Sequence, residues 1–130
     1  MLRLPASVRV FIATRPIVPT GGVDILLERV RSSSDLDPFG GDLFCFFDRY
    51  GTQVKLLTWD MNGFWVFAKR LERGRFPRFD QRKHWLEITR EEFVMLMAGI
   101  NPRTLRYNRD FVREVSIESR ADDERSRTPQ

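Results

Sequence analysis

Residues 43–76 constrain the fold more than any other stretch, because they contain three apolar runs separated by two turns. The runs cover residues 43–47, 54–59 and 64–71, and the turns cover residues 48–51 and 60–63. Runs of this length, rich in aromatic and β-branched residues and bounded by Asp, Asn and Gly, are typical of strands joined as hairpins. The stretch therefore predicts an antiparallel meander sheet.

Alternation along the third run predicts the two faces of its strand. Phe64, Val66 and Ala68 share one face, and the other carries Trp65, Phe67 and Lys69. Because both faces are partly apolar, the sheet needs helices over one side and further cover over part of the other. In the second turn, Asn62-Gly63 is expected to supply the positive φ that a tight hairpin requires.

Two other segments have the spacing of amphipathic helices. The first has an apolar stripe at i, i+3, i+4 and i+7, formed by Val23, Leu26, Leu27 and Val30. The second begins with the capping-box pattern Thr-x-x-Glu at residues 89–92 and continues with the stripe Phe93, Leu96, Met97 and Ile100. Short strands are predicted at residues 8–14 and 84–88, and Pro16 with the glycines after it predicts a loop over residues 15–22.

These elements predict one α+β domain over residues 1–117, an antiparallel meander sheet with two helices packed on it. A chain of 130 residues is long enough for one core that buries roughly two thirds of the unfolded surface. Residues 102–117 fit a helix or a strand, and the pattern does not decide between them. Residues 118–130 have Ala121 as their one apolar residue, so a disordered C-terminal tail is predicted.

Composition narrows the classes of function. No apolar run approaches the roughly 20 residues of a membrane helix, and the first residues lack a signal-peptide core, so a cytoplasmic protein without a membrane partner is expected. Cys45 is the only cysteine and His84 the only histidine, so no disulfide and no cysteine-based zinc cluster is predicted. We predict no catalytic group, metal site or cofactor.

The charge is concentrated in one window, which we call the basic segment (residues 69–83). It contains seven basic residues against two acids, Glu72 and Asp80, so it carries a net charge of +5. The basic residues, which are the predicted nucleic-acid-binding set, are Lys69, Arg70, Arg73, Arg75, Arg78, Arg82 and Lys83. A polyanion such as DNA suits this segment, although a solvated arginine-rich surface has the same composition.

Two other patterns suggest different chemistry. Asp42 followed by Gln53-x-Lys55 loosely resembles the hairpin of some metal-dependent nucleases, in which a carboxylate holds Mg²⁺ and a lysine steadies the transition state. A strand-edge lysine explains the same residues without catalysis. Trp59, Trp65 and Trp85 have the rings that stack on bases in single-strand binders, but such rings more often fill a core or an interface.

The residues from Asp37 to Phe76 resemble the TnpB-type accessory proteins of the insertion-sequence-sixty-six class, encoded beside a DDE transposase. The motifs that carry the resemblance are Asp37-Pro38-Phe39, Gly41, Leu43-Phe44, Lys55-Leu56-Leu57-x-Trp59-Asp60-x-x-Gly63-Phe64 and Phe67-Ala68-Lys69-Arg70-Leu71-Glu72-x-Gly74-Arg75-Phe76. The resemblance covers residues 4–100. It departs at residues 18–21, where the family has an Asp-Met-Arg-Lys stretch, and the residues after Pro102 match no pattern of the family.

The resemblance implies a non-catalytic accessory factor in DNA transposition of a bacterial insertion sequence, since the separate transposase performs catalysis. DNA, the transposase, or both are the implied partners. A small metal-dependent nuclease and a pure protein-interaction module are the alternative hypotheses.

Overall fold

The computed structural model describes Pro5, residues 7–18 and residues 20–100. The interpretations of residues 102–117 and of the tail at 118–130 therefore lie outside the described residues. Within the described residues, five strands and two helices follow one another as β1 (Val10–Ile17), α1 (Val23–Arg31), β2 (Leu43–Asp48), β3 (Gln53–Asp60), β4 (Gly63–Arg70), β5 (Trp85–Ile88) and α2 (Arg90–Met97). The α+β class is confirmed.

The strands form one sheet in the order β4-β3-β2-β1-β5. The predicted meander is confirmed for β2, β3 and β4, which pair antiparallel through the two expected hairpins. The sheet as a whole is mixed, because β1 pairs with β2 in parallel and with β5 antiparallel. A parallel pair needs a crossover connection, and α1 lies in that connection between β1 and β2.

Two local details of the strands differ from expectation. In the second hairpin Asp60 pairs with Gly63, so the loop is Met61-Asn62 and the positive φ falls on Met61, at +53°. The first strand runs to Ile17 and includes Pro16, although proline predicted a loop there. The β1–β2 register shifts between Ala13 and Ile17, and such irregularities accommodate a residue that has no N–H to donate.

Strand β2 lies at the centre of the fold, with every one of its residues buried. Leu43, Cys45 and Phe47 belong to the core that contains α2, while Phe44 and Phe46 belong to the core that contains α1. Each helix therefore covers its own face of the sheet. This explains why β2 is an unbroken apolar run rather than an alternating one.

Helix α2 begins and ends as its local sequence predicts. Thr89 N donates to Glu92 Oε1 at 2.8 Å, and Glu92 N donates to Thr89 Oγ1 at 3.1 Å, which confirms the capping box. At the other end Gly99 has φ +81°, and its amide and that of Ile100 donate to carbonyls of the last turn. Among the described residues, no helix is long and apolar enough to cross a membrane.

Candidate nucleic-acid interface

The basic segment starts on β4 and then passes across one end of the sheet. Lys69 and Arg70 are the last two residues of β4, and residues 71–84 connect it to β5. The middle of this connection is held against the β2–β3 turn: Phe76 N donates to Gly51 O at 2.6 Å, and Leu71 N donates to Thr52 O at 2.7 Å. Backbone hydrogen bonds therefore fix the path of an otherwise irregular segment.

Aromatic packing against β2 also holds the basic segment in place. Phe76 is buried, and the ring of Phe47 on β2 lies 5.1 Å from that of Phe76 and 5.4 Å from that of Phe79. The far end of the segment is tied to β1, where Thr14 Oγ1 donates to Lys83 O at 2.6 Å. The arginines of residues 73–82 thus project from a backbone that is anchored at both ends and in the middle.

A cleft of about 320 Å³ lies between the β2–β3 turn and the basic segment. Residues 48–51 line one side, residues 75–79 and Gln81 the other, and Phe47 with residues of β1 completes it. Arg75 is held at the cleft because its Nη1 donates to Tyr50 O at 2.8 Å. Arg49 reaches over the ring of Tyr50, with its guanidinium carbon 5.6 Å from the ring centroid.

The structure brings together only part of the predicted basic set. Arg75 and Arg78 line the cleft, and Arg73 is exposed just before them. Lys69 lies apart on the α2 side of the sheet, where its Nζ donates to Met97 O at 2.5 Å.

The remaining three basic residues have contacts of their own. Arg70 pairs with Glu72 at 2.9 Å, and Arg82 pairs with Asp80. Lys83 is exposed, and its carbonyl accepts the bond from Thr14. Of the seven residues, only Arg75 and Arg78 line the cleft.

Arg49 and Tyr50 belong to the site although charge counting missed them, since they lie twenty residues before the basic window. The predicted meander already implies that Arg49 and Tyr50 lie near the basic segment. Because β3 pairs with both β2 and β4, Gln53 lies opposite Arg70, and the β2–β3 turn must lie beside the chain that leaves β4. Arg15 on β1 lies 3.5 Å from the ring of His84 and does not line the cleft.

Asp48 is the acidic residue of the cleft, and its charge is directed into the turn. Its carboxylate accepts hydrogen bonds from Thr52 N at 2.9 Å, Gln53 N at 3.1 Å and Thr52 Oγ1 at 3.0 Å. Burial pushes the pKa of Asp48 upward, but these bonds and one from Gly51 N outweigh it, so the pKa lies below its ordinary value. Asp48 thus orders the turn that carries Arg49 and Tyr50.

The two charged residues of the nuclease pattern, Asp42 and Lys55, make structural contacts with other parts of the fold. Asp42 Oδ1 accepts a hydrogen bond from Arg9 N at 3.0 Å, and Lys55 Nζ donates to Gly21 O at 2.6 Å, at the start of α1. Lys55 pairs with Phe46, and Asp42 precedes Phe46 by four residues, so Asp42 and Lys55 are separated by about 13 Å along the strand direction alone. In the described part of the chain, no group of three or more His, Cys, Asp or Glu residues is arranged to hold a metal.

Cys45 is fully buried, and burial raises the pKa of its thiol far above the ordinary range. The thiol therefore stays protonated inside the core, which is the environment of a small apolar residue rather than of a nucleophile.

The tryptophans do not lie beside the cleft. Trp85 packs edge-on against Phe44 and Phe46 of the α1 core, with ring centroids 5.8 Å apart. Trp59 is partly buried and packs on Phe39 and Phe64. Trp65 is 55% exposed on β4 and stacks on Phe67 at 5.9 Å. The aromatic rings that line the cleft are instead Phe47, Tyr50, Phe76 and Phe79, of which Tyr50 is exposed and Phe79 is partly buried.

Comparison with known proteins gives a consistent result. A family model described as IS66 Orf2 like protein matches residues 8–107. The uncharacterized protein y4jC of Sinorhizobium fredii is 31% identical over 95 residues, which cover 73% of this chain and 81% of that protein. The uncharacterized protein y4hO of the same organism is 35% identical over 103 residues, covering 79% and 90%. No solved structure matches the chain.

Proposed function

The chain belongs to the IS66 Orf2-like family, and on that premise we propose that it is a non-catalytic accessory factor in DNA transposition of a bacterial insertion sequence. The family supports the association with transposition. We further propose that the protein binds DNA and the element's transposase, and that it does so in the bacterial cytoplasm.

The observation that carries the DNA-binding part is the group of arginines at one end of the sheet. Arg49, Arg75 and Arg78 line one cleft, and the backbone that carries them is held by the bond between Phe76 and Gly51. Guanidinium groups presented from a fixed backbone contact phosphates without reading bases, so this surface supports binding to DNA of any sequence. Each neutralised phosphate adds a counterion-release contribution to the affinity.

The transposase part rests on a different surface. Trp65 and Phe67 stack on edge strand β4, and both rings are exposed to solvent. Beside them an apolar pocket of about 210 Å³ opens between β4 and α2, lined by Val54, Leu56, Phe67, Ala68, Lys69, Phe93 and Met97. Exposed aromatic rings next to an apolar pocket are typical of protein interfaces. We assign this surface to the transposase.

A salt series with duplex DNA tests the DNA-binding surface. The variant R75A/R78A should weaken binding at low salt, and the slope of log K against log salt should shrink by about 0.9 for each phosphate that the variant no longer neutralises. The matched control is R31A/R90A, which removes the same charge from exposed positions on α1 and α2. Wild-type protein without salt-dependent DNA binding would overturn this part of the proposal.

Co-purification with the purified transposase tests the other surface. Trp65→Ala and Phe67→Ala should each reduce the amount of transposase retained, whereas R75A/R78A should leave it unchanged in the absence of DNA. Equal retention by wild type and both aromatic variants would contradict the assignment of this surface to the transposase.

A further inference from the structure

We propose that the cleft between the β2–β3 turn and the basic segment binds an unpaired nucleotide of single-stranded DNA. The inference rests on the proposed DNA-binding function and deepens it. With such a cleft, the protein recognises unpaired DNA, such as a frayed end or a junction, in addition to duplex DNA.

The size of the cleft suits one nucleotide. Its volume of about 320 Å³ falls at the lower end of the range of small-molecule sites, which is about 300–1,000 Å³. A paired base inside a duplex presents only its edges to a protein. An unpaired base presents its whole face, and a ring-sized recess beside aromatic side chains can accept that face.

The aromatic residues of the cleft supply the stacking surface. The Tyr50 side chain is 63% exposed, so its ring serves no core, and the guanidinium of Arg49 lies over that ring. Phe79 lines the same cleft and is backed by Phe47. Stacking on aromatic rings and on arginine planes is how proteins hold single strands irrespective of sequence.

The polar residues of the cleft suit the rest of a nucleotide. Arg75 and Arg78 line the cleft and supply guanidinium groups for the phosphate, and Arg75 Nη1 donates to Tyr50 O, which holds this guanidinium beside the turn. Gln81 adds an amide with both a donor and an acceptor, which can meet the edge of a base. Asp48 keeps its negative charge, but its carboxylate is directed at the donors of Thr52 and Gln53 in the turn.

The walls of the cleft are pre-positioned, which lowers the entropy lost on binding. One wall is the turn that Asp48 orders, and the other is held by the hydrogen bond from Phe76 N to Gly51 O. The two walls therefore keep their separation without a ligand.

Fluorescence anisotropy with three labelled probes tests the inference: a 12-nucleotide oligo(dT), the corresponding dT·dA duplex, and the oligo(U) of the same length. Tyr50→Ala should weaken binding of oligo(dT) by about tenfold, while duplex affinity stays within twofold of wild type. Tyr50→Phe keeps the ring and should retain the affinity for oligo(dT). Phe39→Ala is the matched control, since it removes a 45% exposed ring outside the cleft and should change neither affinity.

A second measurement locates the strand directly. Photocross-linking of an oligonucleotide that carries 5-iododeoxyuridine, followed by peptide mass spectrometry, should place the cross-link on Tyr50 or Phe79. A cross-link confined to Trp65 or Phe67 would overturn the cleft as the site. Tighter binding of oligo(U) than of oligo(dT) would overturn DNA as its ligand.

The outcomes separate this inference from the proposed function. If wild type binds duplex through Arg75 and Arg78 but Tyr50→Ala leaves oligo(dT) binding unchanged, the inference fails and the duplex-binding surface stands. If oligo(dT) binding depends on Tyr50 but R75A/R78A leaves duplex binding unchanged, the proposed duplex-binding surface is overturned and the cleft remains supported as a single-strand site. Absence of binding to both probes would overturn both.

Discussion

The backbone amide of Phe76 donates a hydrogen bond to the carbonyl oxygen of Gly51, with 2.6 Å between the nitrogen and the oxygen. Gly51 has φ +72°, and a Cβ atom there would lie 2.7 Å from the carbonyl oxygen of Phe76. The absence of a side chain at Gly51 is therefore what allows the basic segment to approach the β2–β3 turn. Together with the bonds from Leu71 N to Thr52 O and from Arg75 Nη1 to Tyr50 O, this contact aligns the two walls of the cleft.

Replacing Gly51 by Ala should separate the walls and destabilise the fold. The backbone strain alone is about 1–3 kcal/mol, and the clash with Phe76 adds to it. Gly74→Ala is the matched control, because Gly74 lies in the same segment with φ +73° and has open space around the added Cβ. Urea denaturation should show a clearly larger loss for Gly51→Ala, and equal losses would mean that the close approach is unimportant.

Trp65→Ala should have little effect on stability, although the sequence favoured a core or interface role for this ring. With 55% of the residue exposed, the loss should be about 1 kcal/mol or less. Phe44→Ala, by contrast, should cost about 3–5 kcal/mol, because Phe44 is fully buried in the α1 core. Chemical denaturation of the two variants measures the contrast, and similar losses would show that the Trp65 ring is enclosed.

Asp48 should make stability depend on pH in the acidic range. Its folded-state pKa is depressed, so its contribution is complete above its unfolded-state pKa of about 3.9 and is lost as the pH falls through the folded-state value. The difference in unfolding free energy between wild type and Asp48→Asn should therefore shrink as the pH is lowered from about 6 to about 2. Urea midpoints across that range measure it.

Glu87 provides the comparison for Asp48. A hydrogen bond from Arg9 lowers the pKa of Glu87 despite the opposing effect of burial, so its pH dependence has the same sign. The Arg9–Glu87 pair is largely exposed and screened by solvent, so Glu87→Gln should change the profile much less than Asp48→Asn. A larger effect of Glu87→Gln would contradict the role given to the β2–β3 turn.

Truncation after Arg120 should leave the melting temperature nearly unchanged. The removed residues contain one apolar residue, Ala121, and therefore have almost nothing to bury. Differential scanning calorimetry of the full chain and the truncated chain makes the comparison. A melting temperature that falls with truncation would show that residues 121–130 dock on the domain.

Features that depend on neighbouring residues were predictable from the sequence. The hairpins of β2, β3 and β4 follow from apolar runs bounded by turn residues. The ends of α2 follow from Thr89, Glu92 and Gly99, whose hydrogen bonds reach only three or four residues along the chain. The family resemblance rests on the same meander, and the match over residues 8–107 confirms it.

Features that depend on pairing between distant residues were decided by the tertiary structure. The parallel pairing of β1 with β2 and the placement of one helix on each face follow from how the whole sheet is covered. The membership of the cleft has the same cause. The count of charges along the sequence grouped Lys69 with Arg75. In the structure Lys69 bonds to α2, whereas Arg49 lines the same cleft as Arg75. The reason is that strand register, rather than distance along the chain, decides which residues of a sheet are neighbours.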